Sequence, residues 1–276
     1  MPAIDLARLR KQTGRLADFF FVPQEFLNHL REILESYVNY SLRTKERVAP
    51  RSNLTTYRTP PVVLRGIENE LQPIAQANPA HALDLADLLW EQGTLETSLL
   101  AAFLLGCIPA QEVLLLARLT AWVQQVRDPR VRSELLTTST AGMRSQAPSQ
   151  FLELVKEWLH PERPQSWSNG IQALLPFLAE AGYDYLPAVL DLVEPAIDAG
   201  HVKLQLDLEE LIIALYAASH RETLFFLKQL LAKTSNPMTA VSLRRMLPAL
   251  PAALQSELRA SLRAPASTSS TATEGG

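Results

Sequence analysis

Cysteine is nearly missing: Cys107 stands alone in 276 residues, which excludes an intrachain disulfide and leaves nothing to build a zinc site on. Glycine is scarce as well. Ten glycines beside nineteen prolines suit helices parted by proline-marked turns and suit a sheet protein badly. The five histidines (His29, His81, His160, His201 and His220) are scattered singly, without an i, i+4 pair or a carboxylate at ligand spacing, so neither a metal nor a cofactor is expected. There is no glycine-rich phosphate loop, no G-x-S-x-G and no paired-carboxylate motif. No apolar run approaches the roughly 20 residues of a membrane span. The opening MPAIDLARLRKQ lacks the basic-then-apolar order of a signal peptide. A cytoplasmic protein with no membrane partner is expected.

What is present is helical periodicity. Hydrophobic residues make up 47% and charged residues 20%, ordinary for a globular chain. Residues 81–106, HALDLADLLWEQGTLETSLLAAFLLG, organise the rest. Leu83, Leu85, Ala86, Leu89 and Trp90 put an apolar stripe on a first helix. Gly93 suits the left-handed residue that ends it, and Thr94 suits the cap of the next. From Leu99 to Leu105 the second helix is apolar all round, which predicts burial on several sides in the middle of a stacked array. Cys107, just beyond, reads as a small buried hydrophobe.

Similar patterns recur along the chain. A short helix over 3–13 is expected to end at Gly14, and Pro23 opens a long amphipathic segment through residue 48. Residues 49–61, APRSNLTTYRTPP, break the period and read as a loop. Asp128-Pro129 reads as a helix start, and Ser166 as a cap for the segment beginning at Trp167. Gly142, Gly182 and Gly200 read as helix ends, and Pro176, Pro187 and Pro195 predict kinks or breaks. The tail 264–276 has no apolar pattern and reads as disordered. About a dozen helices joined by short turns predict an all-α protein, either a helical-repeat solenoid or a large bundle.

Charge is uneven. Residues 1–65 hold 11 Lys+Arg against 6 Asp+Glu, whereas the remainder holds 15 against 23. A basic N-terminal quarter points to a polyanionic partner. Arg43, Lys45, Arg47, Arg51, Arg58 and Arg65 are opposed only by Glu46, and each could contact a phosphate. Arg118, Arg127, Arg130, Arg132 and Arg144 form a second cluster against Asp128 and Glu134.

Three stretches carry a family likeness: residues 57–70, YRTPPVVLRGIENE; residues 85–106, LADLLWEQGTLETSLLAAFLLG; and the segments LIIALYAASHRETLFFLKQLL and SLRRMLPAL within 211–250. The chain resembles the HEAT-like helical-repeat DNA alkylation repair proteins, whose enzymes are alkylpurine DNA glycosylases. The resemblance implies an ARM-like α-α superhelical solenoid of antiparallel helix pairs over 1–263, with duplex DNA on a concave basic face. It also implies a carboxylate that stabilises positive charge on the sugar as an alkylated base leaves, and aromatic walls facing the cationic base. Registered on Gly142, Glu134 falls where the family has its aspartate and Arg130 where it has a tryptophan. No arginine follows Trp167, and Tyr216 lies near the expected C-terminal tryptophan. The expected function is therefore binding of duplex DNA, through the first six cations with Arg130 and Arg132, by a chain whose catalytic pocket is degenerate. Trp122, Trp167 and Tyr216 are the candidate pocket residues. Two other readings stay open: an active glycosylase using Glu134, and a scaffold for a protein partner.

Overall fold

The computed structural model describes residues 5–38, 52–181 and 184–263. Among these there are fifteen α-helices and no strand; the single β-type contact is an isolated bridge between Thr55 and Thr94. The protein is all-α, and no helix among the described residues is long and apolar enough to cross a membrane. Two compact units divide the chain, Met1–Phe151 and Leu152–Gly276.

The first unit holds α1 (Leu6–Ala17), α2 (Pro23–Ser36), α3 (Pro61–Ala77), α4 (Pro79–Glu91), α5 (Leu95–Cys107), α6 (Val113–Gln125), α7 (Pro129–Thr137) and α8 (Ala141–Gln146). The division falls inside α9 (Pro148–Trp158). Within this unit α1 packs on α3, α3 on α5 and α5 on α7, while α2 meets α4 and α4 lies along α5. Helix α5 is thus the middle element. Leu100, Ala101, Ala102, Leu104 and Leu105 are all at 0% exposure, as an apolar helix with neighbours on several sides requires. Burying each leucine contributes about 1.5–3 kcal/mol.

The turn into α5 is the one the sequence predicts. Gly93 has φ +64°, and the Thr94 hydroxyl accepts the N–H of Thr97 at 3.4 Å. At the other end of α5, a Cβ on Gly106 would lie 2.4 Å from the Thr138 carbonyl oxygen, so only glycine lets α5 come this close to the end of α7. The Ser139 hydroxyl seals the approach by donating to the Ala102 carbonyl at 2.6 Å.

The second unit contains α10 (Trp167–Ala181), α11 (Leu186–Ala199), α12 (Gln205–Ala218), α13 (His220–Lys233), α14 (Pro237–Met246) and α15 (Ala252–Arg263). Here α10 packs on α12, α12 on α13 and α13 on α15, with α14 against α11.

Several boundaries differ from expectation. Helix α1 runs through Gly14 to Ala17, because Thr13 and Leu16 on its core face are buried and hold the last turn. Helix α2 ends at Ser36, and residues 39–51 lie outside the described residues, as do Gly182 and the tail 264–276. Gly142 sits inside α8 instead of ending a helix. Gly200 does end α11, at φ +60°. Pro176 and Pro195 are carried within α10 and α11, and Pro187 lies in the first turn of α11, so none of the three breaks its helix. Ser166 donates its hydroxyl to the carbonyls of Trp158 and Arg163, so it closes the preceding turn and does not cap α10.

Candidate functional site

Two buried carboxylates tie the segment 52–60 across the helix starts of the first unit. Glu96, the second residue of α5, is 2% exposed. It accepts hydrogen bonds from the Thr56 hydroxyl at 2.7 Å, the Tyr57 N–H at 3.1 Å and the Thr59 N–H at 3.3 Å. A carboxylate near a helix N-terminus is favoured by the macrodipole, and bonds to a charged acceptor contribute about 1.5–3 kcal/mol each. The Leu95 N–H adds a bond to the Thr55 carbonyl at 2.9 Å.

That clamp holds a strained residue. Arg58 has φ +57°, the only non-glycine positive φ among the described residues. Left-handed backbone costs a side-chain-bearing residue roughly 1–2 kcal/mol. Its N–H donates to the Thr56 hydroxyl at 3.0 Å, and residues on either side are bonded to Glu96. The Arg58 side chain is left exposed at the tip.

The second carboxylate is Asp128, 1% exposed at the cap of α7. It accepts from the N–H groups of Arg130 at 3.0 Å, Val131 at 3.2 Å and Asn53 at 2.9 Å. Burial alone would raise the Asp128 carboxyl, but bonds from the Ser52 side chain and the Val131, Asn53 and Arg130 amides together hold it below the usual aspartate value. The segment therefore runs from the first turn of α7, past that of α5, into that of α3 at Pro61. Three helix N-termini meet it, and the positive ends of α7 and α5 favour the buried Asp128 and Glu96 carboxylates there.

The predicted cations sort against this edge. Arg43, Lys45, Arg47 and Arg51 lie outside the described residues, although Arg51 directly precedes the anchored Ser52. Arg58, Arg127 and Arg130 are exposed around the edge, and Arg65 is exposed on α3. Arg132 is half-buried: one guanidinium nitrogen donates to the Val126 carbonyl at 3.3 Å, and its Nε is buried without a partner. The second basic cluster is not one surface. Arg118 makes a two-pronged pair with Asp87 at 2.7 and 2.5 Å, and Arg144, 6% exposed, bonds the Thr137 carbonyl and Thr140 hydroxyl.

Glu134 is half-buried on α7, and a residue that the motifs did not single out comes near it: Glu68, half-buried on α3. The Glu68 carboxyl is raised above its ordinary value, by burial first and then by the charge of Glu134, with Arg65 opposing. Cys107 lies by the same pair, its thiol pushed up to about 12 by burial and by Glu68, so it is an inert protonated thiol. The two glutamates are 66 positions apart in the chain, on helices α3 and α7 that both pack against α5.

The expected pocket aromatics are largely packing residues. Trp122 is 6% exposed and stacks face to face on the half-exposed Trp90, with centroids 4.3 Å apart. Trp167 is 4% exposed and donates its ring N–H to the His160 carbonyl at 2.9 Å. Trp158 is buried too, and its ring N–H has no partner. Tyr216 stays half-exposed and stacks on His220 at 4.3 Å. Trp122 belongs to the first unit, and Trp167 and Tyr216 to the second. Compared with protein-family models, curated proteins and solved structures, the chain matches none.

Proposed function

We propose that the chain binds duplex DNA through the edge around residues 52–60, as a divergent HEAT-like repeat protein related in sequence to the DNA alkylation repair family. The observation that carries this reading is the Asp128 anchor: by bonding Ser52 and Asn53 it holds the segment 52–60 at the start of α7, where Arg127 and Arg130 are exposed. Exposed guanidinium groups attract phosphates, and each phosphate neutralised releases counterions. The succession of α1, α3, α5 and α7 as side-by-side neighbours supports the solenoid part of the reading. Titration of a labelled duplex at two salt concentrations tests it. Tight binding at low salt that weakens steeply at high salt is expected; no binding at low salt, or binding indifferent to salt, overturns it.

A second reading rests on the half-buried carboxylate of Glu134 on α7, the position that the family resemblance assigns to its aspartate; in it Glu134 still assists loss of an alkylated base. Its carboxylate would stabilise the positive charge developing on the sugar. Release of methylated purines from alkylated duplex, abolished in Glu134→Gln, is the expected result. Release that survives the substitution removes Glu134 from the role.

A further inference from the structure

Helix α1 carries a second cationic surface. Its core face is Leu9, Thr13 and Leu16, all buried. Arg8, Lys11 and Arg15 lie at i, i+3 and i+7 on the opposite side, and all three are exposed. No acidic residue falls within Leu6–Ala17. The acids at its two ends are Asp5 and Asp18, and Asp5 spends an oxygen on the N–H groups of Ala7 and Arg8, both at 3.0 Å. No ion pair found between described residues uses any of the three cations. Across the helix, the Tyr37 hydroxyl, the other titratable group near Arg8, bonds the Gln12 side chain at 2.7 Å.

The spacing has a polyanion's scale. Seven residues of helix span about 10 Å at about 1.5 Å per residue. One strand of a DNA duplex advances about 3.4 Å per phosphate along the axis, so the line matches about three phosphates. Leu9 and Thr13 rest against Gly66 of α3, so α3 holds α1 by its core face and leaves the cationic side to solvent. Helix α3 itself carries the exposed Arg65 and follows directly from the segment that presents Arg58.

We propose that the Arg8–Lys11–Arg15 face of α1 is a phosphate-contacting surface for the same duplex, reading no base sequence. This rests on the DNA-binding reading above. Contacts of this type position a protein on the duplex and add affinity without specificity.

The test is a titration of a random-sequence duplex with the full chain and with the R8Q/K11Q/R15Q variant, from 50 to 200 mM KCl. Glutamine keeps good helix propensity, and circular dichroism checks that the helix content holds. The slope of log affinity against log salt is expected to be shallower in the variant by about 2.7, or about 0.9 per lost contact. A control that removes the exposed cations Lys203 and Arg221 of the second unit leaves the slope unchanged. If the unsubstituted chain does not bind duplex at all, the DNA reading itself fails and this surface with it. If it binds and the variant keeps its slope, only the assignment of α1 fails. Binding to phosphatidylserine vesicles that the variant loses, with the DNA slope unchanged, overturns the assignment in favour of a lipid surface.

Discussion

Each unit has a junction built around a carboxylate, and the two junctions differ in what surrounds them. In the second unit Asp198 closes the gap between the end of α11 and the start of α14. Its carboxylate accepts from the Thr234 hydroxyl, and its backbone carbonyl accepts from Asn236 at 2.7 Å and Thr239 at 2.7 Å. Every partner is a neutral side chain, and the nearby Lys233 is paired with Glu194 at 3.1 Å. This junction closes on itself. In the first unit Glu96 and Asp128 hold a segment that presents one exposed arginine, Arg58, on left-handed backbone, and Arg127 and Arg130 are exposed on either side of Asp128. Capping explains the Asp198 network in full. It leaves the exposed arginines and the left-handed Arg58 over, and the proposed phosphate-binding edge would account for them.

Substitutions can break this contrast, the largest effect coming from the buried clamp. Glu96→Ala strands the Tyr57 and Thr59 amides, and unsatisfied buried donors cost about 1–3 kcal/mol each. A loss of about 3 kcal/mol or more in urea unfolding is expected, together with weaker DNA binding at temperatures where the variant stays folded. Asp198→Ala, at a half-exposed site, is expected to cost about 1 kcal/mol, the ordinary value of a lost hydrogen bond or two, and to leave binding alone. Equal effects of the two on binding would erase the contrast.

Next in size is Asp128. Its carboxyl is lower in the folded protein than in the unfolded chain, so its contribution to stability is present above the ordinary aspartate value and is lost as pH falls through the folded one. Asp128→Asn is expected to flatten the acid limb of a stability–pH curve and to lower stability at neutral pH, because a neutral amide accepts more weakly than the carboxylate and brings an NH₂ donor among groups that already donate. An unchanged acid limb would count against a charged, bonded Asp128.

Glu68 has the opposite sign. Its folded-state carboxyl is raised, so wild type is relatively favoured below the ordinary glutamate value and loses that advantage as pH rises through the folded one. Glu68→Gln is therefore expected to gain on wild type in thermal unfolding at pH 7 and to lose that gain near pH 4. A pH-independent difference would mean that the Glu68 carboxyl is not raised in the folded protein.

The smallest effect, and the most telling of the mutations, is Arg58→Gly. Relief of left-handed strain, about 1–2 kcal/mol, is partly offset by the flexibility of glycine in the unfolded chain, about 0.5–1 kcal/mol. Stability is expected to hold or rise slightly while DNA affinity falls. Stability lost together with affinity would make Arg58 a structural residue.

Local signals carried much of this architecture. The Gly93–Thr94 turn, the Asp128-Pro129 cap and the all-round apolar α5 follow from side chains acting within a turn or two. The two features that make the site do not. Glu96 reaches across 37 to 40 positions to Thr56, Tyr57 and Thr59, and helical periodicity does not say which polar residue of an apolar helix will receive a distant loop. Its one local hint is a carboxylate standing at the start of an otherwise apolar helix opposite a threonine-rich loop. Glu68 meeting Glu134 depends on how α3 and α7 flank α5, which no spacing along the chain encodes. The burial of Trp122 and Trp167 was missed for a related reason: a tryptophan near a family's pocket segment is also a large apolar ring, and here the core claims it.

The most direct test of the edge compares R58Q/R127Q/R130Q with the unsubstituted chain in salt-dependent duplex titrations. With folding and thermal stability retained, the slope of log affinity against log salt should become shallower by about 2.7, or about 0.9 for each arginine. An unchanged slope would show that phosphates do not meet the protein at this edge, and would contradict the account.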